Sequence, residues 1–378
     1  MKQERIEVFM ENLNQHLQEL GYKDTVLYDP SGYDMKAHTT VWDMKKVTDR
    51  LLENPWFREM VSQHMYGSNL FFPHTYINEK GNFVMDKIKK SGSNWQDIAR
   101  KEACTGRGIG VAILDTGVCL HLDFGSRILA FRDYVRGRTM PYDDNGHGTH
   151  VAGIIGGNGR ASKGRYCGIA PECGLIPIKV LDEKGNGKKE SVIYAMDWIE
   201  KNREKYNIRI VNISVGSTTQ GENQDLIEAV EHIWDIGLVV VAAAGNLGPQ
   251  RGSITAPGCS RKVITVGASD MVMENQGISS RGPTRDCISK PDIVAPGNAI
   301  ISCAYRAGVS SYTAKSGTSM STPLVAGGIA LLLEKEPQLT NLEIKKRLRD
   351  TAKDLGYAHN LQGWGLFHLP SFLSGKSI

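Results

Sequence analysis

The feature that most constrains the fold of this chain is an alternation of short apolar runs with amphipathic helical patterns, which begins at about Trp95. Apolar runs of this length are typical of strands buried on both faces. They span residues 110–114, 174–181, 208–213, 237–241 and 263–266, and helical patterns between them span residues 191–206 and 224–236. Because strands that alternate with helices form parallel sheets covered on both sides, the sequence predicts an α/β fold with a central, mostly parallel sheet.

The first 93 residues differ in pattern from the rest of the chain. Apolar spacing and turn residues there predict two helices, a hairpin and an exposed linker. These elements span residues 6–20, 44–65, 69–84 and 87–94, in that order. The sequence therefore predicts a small α+β segment at residues 1–93 and a larger domain at residues 94–378.

The balance of charge argues against nucleic acid or an anionic membrane as a partner. Lys and Arg together number 45 and Asp and Glu number 41, which leaves a net charge of only +4 on 378 residues. No apolar run approaches the roughly 18 residues that a membrane-spanning helix needs. We therefore expect a protein that binds neither nucleic acid nor a membrane.

The N-terminus and the cysteines both bear on the cellular compartment. Charged residues recur through the first seven positions, so the apolar core of a secretory signal cannot form there. The seven cysteines are an odd number without the CxxC spacing of zinc sites, which favours reduced thiols. The sequence thus predicts a cytoplasmic protein.

Asp115 ends an apolar strand and is followed by Thr116 and Gly117. The carboxyl ends of parallel strands are where reacting groups collect, so this aspartate is a candidate catalytic residue. An Asp-Thr-Gly string is also typical of aspartic proteases, whose mechanism needs two carboxylates that share a proton. The chain has no second Asp-Thr-Gly, so only a homodimer could supply that partner. Taken alone, Asp115 is equally compatible with an aspartate that caps a turn.

His147 and His150 lie in the string Asn-Gly-His-Gly-Thr-His-Val-Ala-Gly, in which an apolar run follows the second histidine. Glycines on both sides of His147 allow backbone to approach its imidazole closely. The i, i+3 spacing of the two histidines would suit two metal ligands, but neither an HExxH pattern nor a third ligand accompanies them. The string by itself leaves three roles open for His147: general base, metal ligand or structural residue.

Two further polar side chains stand where the local backbone suits catalysis. Ser319 shortly precedes Pro323, a residue that favours the first turn of a helix, and the apolar helix runs on through Leu333. A serine at this place lies at the positive end of the helix dipole, although N-cap serines are common without a catalytic role. Asn246 follows an apolar strand and four small residues, so its amide could donate to a developing oxyanion.

Together these four elements resemble the subtilisin-like serine proteases, the subtilase family, and within it the intracellular type found in bacteria. Their order along the chain, Asp115, His147, Asn246 and Ser319, is the family's order of acid, base, oxyanion donor and nucleophile. The flanking strings match as well: Val-Ala-Ile-Leu-Asp-Thr-Gly-Val, His-Gly-Thr-His-Val-Ala-Gly, Gly-Ile-Ala-Pro, Asn-Ile-Ser-Val-Gly and Gly-Thr-Ser-Met-Ser-Thr-Pro. The resemblance extends from about Trp95 to Gly365.

The resemblance implies a three-layer subtilisin-like fold and peptide hydrolysis by a Ser-His-Asp triad. Ser319 would attack the scissile carbonyl, His147 would take its proton, and Asp115 would orient the imidazole and stabilise its cation. Asn246 and the backbone N–H of Ser319 would bind the oxyanion. Two segments would hold the substrate, the first by pairing with its backbone and the second as a wall of the S1 cleft. They are Ser214, Val215, Gly216 and Ala243, Ala244, Gly245.

Three positions refine what the resemblance implies. Leu247 follows the oxyanion asparagine and makes the rim of the S1 cleft apolar, which favours aromatic or large aliphatic P1 side chains. Asp123 matches an aspartate that helps to bind structural calcium in many relatives, but the loop at residues 156–164 brings two positive charges, where calcium needs anionic oxygen ligands. Cys119 lies close to Asp115 in sequence, and we interpret it as an inert thiol. The chemistry itself would need no cofactor.

Residues 1–93 occupy the position of a subtilase propeptide, which helps the catalytic domain to fold and blocks its cleft. On position alone, we expect this segment to inhibit the enzyme and to be removed by it, so that the chain is a self-processing zymogen that acts on proteins or peptides. Two other functions stay open: a protease dedicated to one leader peptide, and a non-catalytic peptide-binding regulator of the same fold. A dinucleotide-binding oxidoreductase is excluded, because the glycines at residues 106–110 precede a strand rather than follow one.

Overall fold

The structure is a computed structural model that describes residues 14–15, 104–217, 223–271, 277–306 and 309–376. The chain divides into two compact units, Met1–Ile77 and Asn78–Ile378. In the first unit only Asn14 and Gln15 are described, and both are helical. Apart from these two residues, which lie in the helix predicted for residues 6–20, the elements predicted for residues 6–94 and the boundary predicted between residues 93 and 94 lie outside the described residues and stay predictions.

A seven-stranded parallel sheet forms the centre of the second unit. Its strands are β1 (Gly110–Asp115), β2 (Arg132–Asp133), β3 (Gly174–Lys179), β4 (Ile208–Ile213), β5 (Val239–Ala243), β6 (Ile264–Ala268) and β7 (Ile293–Ala295). They follow one another in the order β2-β3-β1-β4-β5-β6-β7. The five longest strands are buried along almost their whole length, which confirms the expectation of a sheet covered on both faces.

Helices cover the sheet in two layers. They are α1 (His147–Gly156), α2 (Lys189–Asn202), α3 (Gln224–Asp235), α4 (Thr318–Lys335), α5 (Asn341–Asp350), α6 (His359–Gln362) and α7 (Leu369–Ser374). Helices α1 and α4 contact each other, and α4 lies along β4, β5 and β6. Helices α2 and α3 form a second pair that contacts β1 and β5. The result is the predicted three-layer α/β architecture.

Helix α4 is the apolar helix expected from the sequence, and it runs through the core. Every residue from Met320 to Leu333 is buried, which is typical of a helix that is apolar on all sides. The helix begins at Thr318, so Pro323 is its sixth residue and lies in the second turn rather than the first. Ser319, one residue after the start, is less buried than its neighbours in the helix, so its hydroxyl lies at the edge of a rigid element.

The strand order brings two functional strand ends together. Strand β1 lies between β3 and β4, so the chain builds one side of the sheet from β1 and then crosses to the other side with β4. A switch of this kind opens a crevice at the carboxyl ends of the two central strands. Leu114 of β1 pairs with Ile213 of β4, so Asp115 and Ser214 follow at the same edge of the sheet.

Two of the boundaries that differ from the prediction illustrate the local reasons. Strand β5 begins at Val239 rather than at residue 237, because Gly237 has a φ of 97° and closes the turn after α3. Helix α2 ends at Asn202 rather than at residue 206, and residues 203–207 form a turn that includes the left-handed Asn207, with a φ of 44°. Left-handed residues of this kind end helices and form turns.

An antiparallel hairpin, β8 (Ile300–Arg306) and β9 (Val309–Lys315), was not predicted from the sequence. It packs against α1. Neither strand is a long apolar run, and in β8 the neighbouring residues Ser302, Cys303 and Ala304 are all buried, so a period of two residues is absent. The hairpin leads directly into the residues before α4, and it therefore helps to fix the approach to Ser319.

Candidate active site

Asp115 and His147 form an ion-pair contact at the switch point of the sheet. Asp115 ends β1 and is only 1% exposed, while His147 is the first residue of α1. Nδ1 of His147 lies 2.8 Å from Oδ1 and 2.9 Å from Oδ2 of Asp115. A carboxylate in this position holds Nδ1 as the protonated nitrogen, so that Nε2 is left to accept a proton.

The surroundings of His147 favour its charged form. Burial alone would lower the pKa of His147, but the charge of Asp115 and the hydrogen bond to it outweigh burial, and the pKa is raised above its ordinary value. Lys315 opposes this effect and Asp143 adds to it. An imidazole of raised pKa is a better proton acceptor, as a general base for a serine hydroxyl must be.

Ser319 stands at the start of α4 with its hydroxyl turned toward the end of β4. Its Oγ donates to the backbone oxygen of Ser214 at 2.6 Å. Among the described residues, no hydrogen bond joins Ser319 to His147. A serine hydroxyl rotates to suit its surroundings, and catalytic hydrogen bonds often form only when substrate is bound, so this geometry is compatible with a nucleophile at rest.

Asn246 is oriented by the residue that precedes Ser319. Its Oδ1 accepts hydrogen bonds from the backbone N–H of Thr318 at 3.0 Å and from the Thr318 hydroxyl at 3.2 Å. The same hydroxyl accepts the N–H of Gly245 at 3.2 Å. Because the amide oxygen is held in this way, the NH₂ group of Asn246 points away from Thr318 and is available as a donor.

Two glycines are required by this arrangement. Gly245 has a φ of 101°, and a Cβ there would lie 2.7 Å from the side chain of Thr255. Gly317 has a φ of 140°, and a Cβ there would lie 3.1 Å from Nδ2 of Asn246. Only glycine adopts such backbone angles readily. Gly245 therefore allows the turn before Asn246 to pack against Thr255, and Gly317 allows the start of α4 to approach Asn246.

The two segments expected to bind substrate lie on either side of this group. Ser214 is buried, but Val215 is half-buried and Gly216 is exposed, so the backbone after β4 is open to an added strand. On the other side, Ala243 and Ala244 are buried and Gly245 is half-buried. Leu247, the expected rim of the S1 cleft, is 46% exposed.

Asp143, which was not predicted from the sequence, joins two elements of the candidate site. Its Oδ1 accepts the hydroxyl of Thr116 at 2.8 Å and the N–H of Gly146 at 2.8 Å, and its Oδ2 accepts the N–H and hydroxyl of Thr149 at 2.8 and 2.6 Å. The hydroxyl of Thr116 in turn accepts the N–H of Gly148 at 2.9 Å. One carboxylate therefore ties the end of β1 to the start of α1. The signal in the sequence was an aspartate two residues before an Asn-Gly pair, which is typical of a turn.

A buried lysine supports the same region. Lys179, opposite Asp115 in the register of β1 and β3, is fully buried. Its Nζ donates to the backbone oxygens of Thr116 and Leu181 and to Oδ1 of Asp144, each at 2.7 Å. A lysine inside an apolar strand could have been recognised as unusual, because lysines are almost never fully buried unless paired.

His150 and Cys119 have structural surroundings. Nε2 of His150 lies 3.0 Å from the backbone oxygen of Ile300 and 3.1 Å from that of Thr313, and burial lowers the pKa of His150 to about 3. A neutral histidine that donates to two carbonyls is not placed as a partner of His147 in metal binding. The thiol of Cys119 donates to the backbone oxygen of Asp143 at 3.4 Å, and burial raises its pKa, which disfavours the reactive thiolate.

Asp123, the candidate calcium ligand, lies under the hairpin with a fully buried side chain. Its Oδ1 accepts the N–H of Ala161 at 2.8 Å and its Oδ2 accepts the hydroxyl of Tyr312 at 2.8 Å. Hydrogen-bond donors thus surround the carboxylate, whereas calcium needs several oxygen acceptors around one point. The residues present do not fit a calcium ion.

Comparison with known protein families agrees with the geometry of this site. A model of the subtilase family matches residues 106–365, a span that holds Asp115, His147, Asn246 and Ser319. The chain belongs to the subtilase family. This subtilase is 38% identical over 331 residues to the serine protease AprX of Bacillus subtilis, which covers 80% of the chain and 74% of AprX. It is 37% identical over 268 residues to subtilisin Savinase of Lederbergia lenta, which covers 71% of the chain and 91% of Savinase.

A solved structure supports the fold as well. The crystal structure of a cold-adapted subtilisin-like serine proteinase matches 70% of this subtilase with a TM-score of 0.59 and 31% sequence identity, and 90% of that chain is covered. The subtilase is therefore a serine endopeptidase with a subtilisin-like fold. Within the part of the chain that the structure describes, none of its helices has the length and apolar character needed to cross a bilayer.

Proposed function

We propose that this serine endopeptidase cuts peptide bonds with a triad of Ser319, His147 and Asp115 and with Asn246 as an oxyanion donor. The observation that carries the proposal is the contact of 2.8 Å between His147 and the buried Asp115, at the edge of the sheet where Ser319 donates to Ser214. The spacing of these groups along the chain is wide, so only the fold brings them together.

Each residue has one role in the reaction. Nε2 of His147 removes the proton of the Ser319 hydroxyl as Oγ attacks the scissile carbonyl, and Asp115 stabilises the imidazolium that forms. The NH₂ group of Asn246 and the backbone N–H of Ser319 donate to the tetrahedral oxyanion. His147 then gives its proton to the leaving amine, and the acyl-enzyme is hydrolysed when His147 activates a water molecule in the same way.

The substrate backbone lies along Ser214, Val215 and Gly216 as an added strand, and the P1 side chain enters a cleft beside Ala243, Ala244 and Gly245. The exposed backbone at Gly216 supports the first contact, and the small side chains support the second. Leu247, at the rim of the cleft, offers no charge to a P1 residue.

Peptides with Phe, Tyr, Leu or Met at P1 are expected to be cleaved at least about 10-fold faster, in kcat/KM, than those with Asp, Glu, Lys or Arg. A charged P1 side chain loses hydration in this cleft and gains no partner. Mapping every cut in a diverse peptide library measures the preference. As a matched variant, Leu247→Asp is expected to raise relative cleavage after Lys and Arg by up to about 5-fold, the effect of an exposed ion pair. Cuts that mostly follow Lys or Arg in the wild type would refute this specificity.

The proposal extends to residues 1–93, as an intramolecular inhibitor that the enzyme removes itself. Its position before the catalytic domain, the absence of any catalytic motif in it and the basic, then small and polar stretch at residues 87–94 support this role. An inhibitory segment in the cleft would pair with Ser214, Val215 and Gly216 and place its last bond near Ser319. Such latency would protect the producing cell from its own protease.

The purified wild-type chain is therefore expected to shorten with time and to gain activity in step, while the Ser319→Ala chain stays intact. N-terminal sequencing should find a new start between residues 82 and 95. Adding a trace of mature wild type to the Ser319→Ala chain separates cleavage within one molecule from cleavage between molecules. A wild type that is fully active at full length, or a Ser319→Ala chain that is trimmed as fast in pure solution, would contradict the zymogen.

A further inference from the structure

The surroundings of Asp123 contain a positive charge that belongs to the protein. The guanidinium of Arg127 donates through Nη1 to the backbone oxygen of Gly156 at 2.5 Å and to that of Cys173 at 3.3 Å. Through Nη2 it donates to the backbone oxygen of Asp123. These three carbonyls come from the segment after β1, from the end of α1 and from the residue before β3, so one cation joins three parts of the domain.

A bound calcium ion joins parts of a protein in the same way, because it binds carbonyl and carboxylate oxygens from separate segments. Burial lowers the pKa of Arg127, but arginine keeps its charge in proteins at neutral pH. A second cation among the same carbonyls would be repelled by the guanidinium and would find its ligands already bonded. Arg127 therefore occupies the place among these three carbonyl oxygens that a cation would take.

The loop that follows α1 has the features of a segment that folds without a metal. It bonds to Asp123 through backbone N–H groups: that of Asn158 to the backbone oxygen at 3.1 Å, and that of Ala161 to Oδ1 at 2.8 Å. The loop also closes on itself, since the N–H of Gly164 donates to the oxygen of Gly159 at 2.8 Å. Residues 156–164 include no Asp or Glu and carry two positive charges.

A softer metal has no free ligand in this place either. The side chains of His121, Asp123 and Cys303 are all buried, and their possible ligand atoms lie within 4.8 Å of one another. However, Nδ1 of His121 accepts the N–H of Asp123 at 3.1 Å, and Nε2 lies 3.0 Å from the backbone oxygen of Ser311. Tyr312 already donates to Oδ2 of Asp123, so the cluster is a satisfied hydrogen-bond network.

We propose that the guanidinium of Arg127 is a built-in replacement for a structural calcium ion at Asp123, so that this region of the domain is stable without calcium. The proposal rests on the contacts of Arg127, Asp123 and the loop, and it does not depend on the catalytic roles proposed above. The proposal requires that calcium be dispensable at this site and that Arg127 be needed for the stability of this region.

The first test compares the thermal midpoint of the full chain, carrying Ser319→Ala to prevent autolysis, after EDTA treatment and after addition of millimolar calcium chloride. The expected shift in Tm between the two conditions is less than about 1 °C, because the site at Asp123 gains no ion. A Tm that falls by several degrees in EDTA and recovers with calcium chloride, but not with magnesium chloride, would overturn the proposal.

The second test replaces the cation. Arg127→Ala removes a buried cation and its hydrogen bonds to the backbone oxygens of Gly156, Cys173 and Asp123. This loss is expected to lower Tm by about 5 °C or more, whereas Arg127→Lys keeps the charge and lowers it less. The matched control is Arg107→Ala, which removes an exposed arginine whose guanidinium lies 2.7 Å from Glu172 and should shift Tm by about 1 °C or less. If Arg127→Ala and Arg107→Ala have the same Tm, Arg127 is not a structural cation. If Arg127→Ala does not fold, the test uses Arg127→Lys, whose Tm must then lie below the Tm of the wild type and of Arg107→Ala. An Arg127→Lys protein with an unshifted Tm, together with a wild-type Tm that depends on calcium, would contradict the proposal.

Discussion

Replacing Ser319 with alanine is expected to reduce kcat by about 10⁶-fold, the loss known for the nucleophile of subtilisin, while the protein stays folded. The hydroxyl is the attacking group, and without it His147 has no proton to remove. Folding should be little affected, because the substitution removes a single hydrogen bond, that from Oγ to the oxygen of Ser214. Hydrolysis of a chromogenic peptide with Phe at P1 measures kcat, and circular dichroism and Tm report folding.

Ser321→Ala is the matched control for this substitution. Ser321 lies two residues further along α4, is fully buried and donates to the backbone oxygens of Ala295 and Pro296 at 2.9 and 3.1 Å. Its removal should lower Tm and leave kcat within a few-fold of wild type. A Ser319→Ala protein that kept the rate of the Ser321→Ala protein would show that Ser319 is not the nucleophile.

Asn246→Ala is expected to lower kcat by about 10²–10³-fold, a size known from subtilisin itself, with little change in KM. The NH₂ group donates mainly to the charge that develops on the carbonyl oxygen in the transition state, so its loss affects the chemical step more than binding. Steady-state kinetics with the same peptide separates kcat from KM.

Asn246→Asp distinguishes donation from positioning. The aspartate keeps an oxygen that can accept from the N–H and hydroxyl of Thr318, but it has no NH₂ group. If donation to the oxyanion is the role of Asn246, Asn246→Asp loses at least as much kcat as Asn246→Ala. A nearly active Asn246→Asp would instead show that the residue acts only by holding Thr318.

The sheet was predictable because the burial of each strand is visible in the strand's own sequence. Strands such as β1 and β4 are covered on both faces, so their residues are almost uniformly apolar and need no partner to be recognised. The hairpin of β8 and β9 was missed because its burial comes from contact with α1, which the hairpin's own sequence does not reveal. The start of β5 and the turn after α2 contain left-handed residues, whose effect is clear only from the backbone.

The residues of the candidate site also divide into those that could be predicted from the sequence and those that could not. Asp115, His147, Asn246 and Ser319 were recognised because their order and flanking strings together are specific, although each string alone left other roles open. The carboxylate of Asp143 was not, because its role lies in bonds to Thr116, 27 residues earlier in the chain, and to the start of α1. Such bonds exist only in the folded domain. Arg127 was missed for the same reason, since none of its three carbonyl partners can be identified from the sequence.

The central claim is that Ser319 is a nucleophile activated by His147, and covalent labelling tests it most directly. Wild-type enzyme is treated with phenylmethylsulfonyl fluoride until activity is lost, and the labelled residue is located by peptide mass spectrometry. We predict one label per active chain, on Ser319, and a labelling rate that falls sharply in the His147→Ala protein, because the serine then lacks its base. Inactivation with the label on another residue, or labelling of Ser319 at an equal rate without His147, would contradict the account.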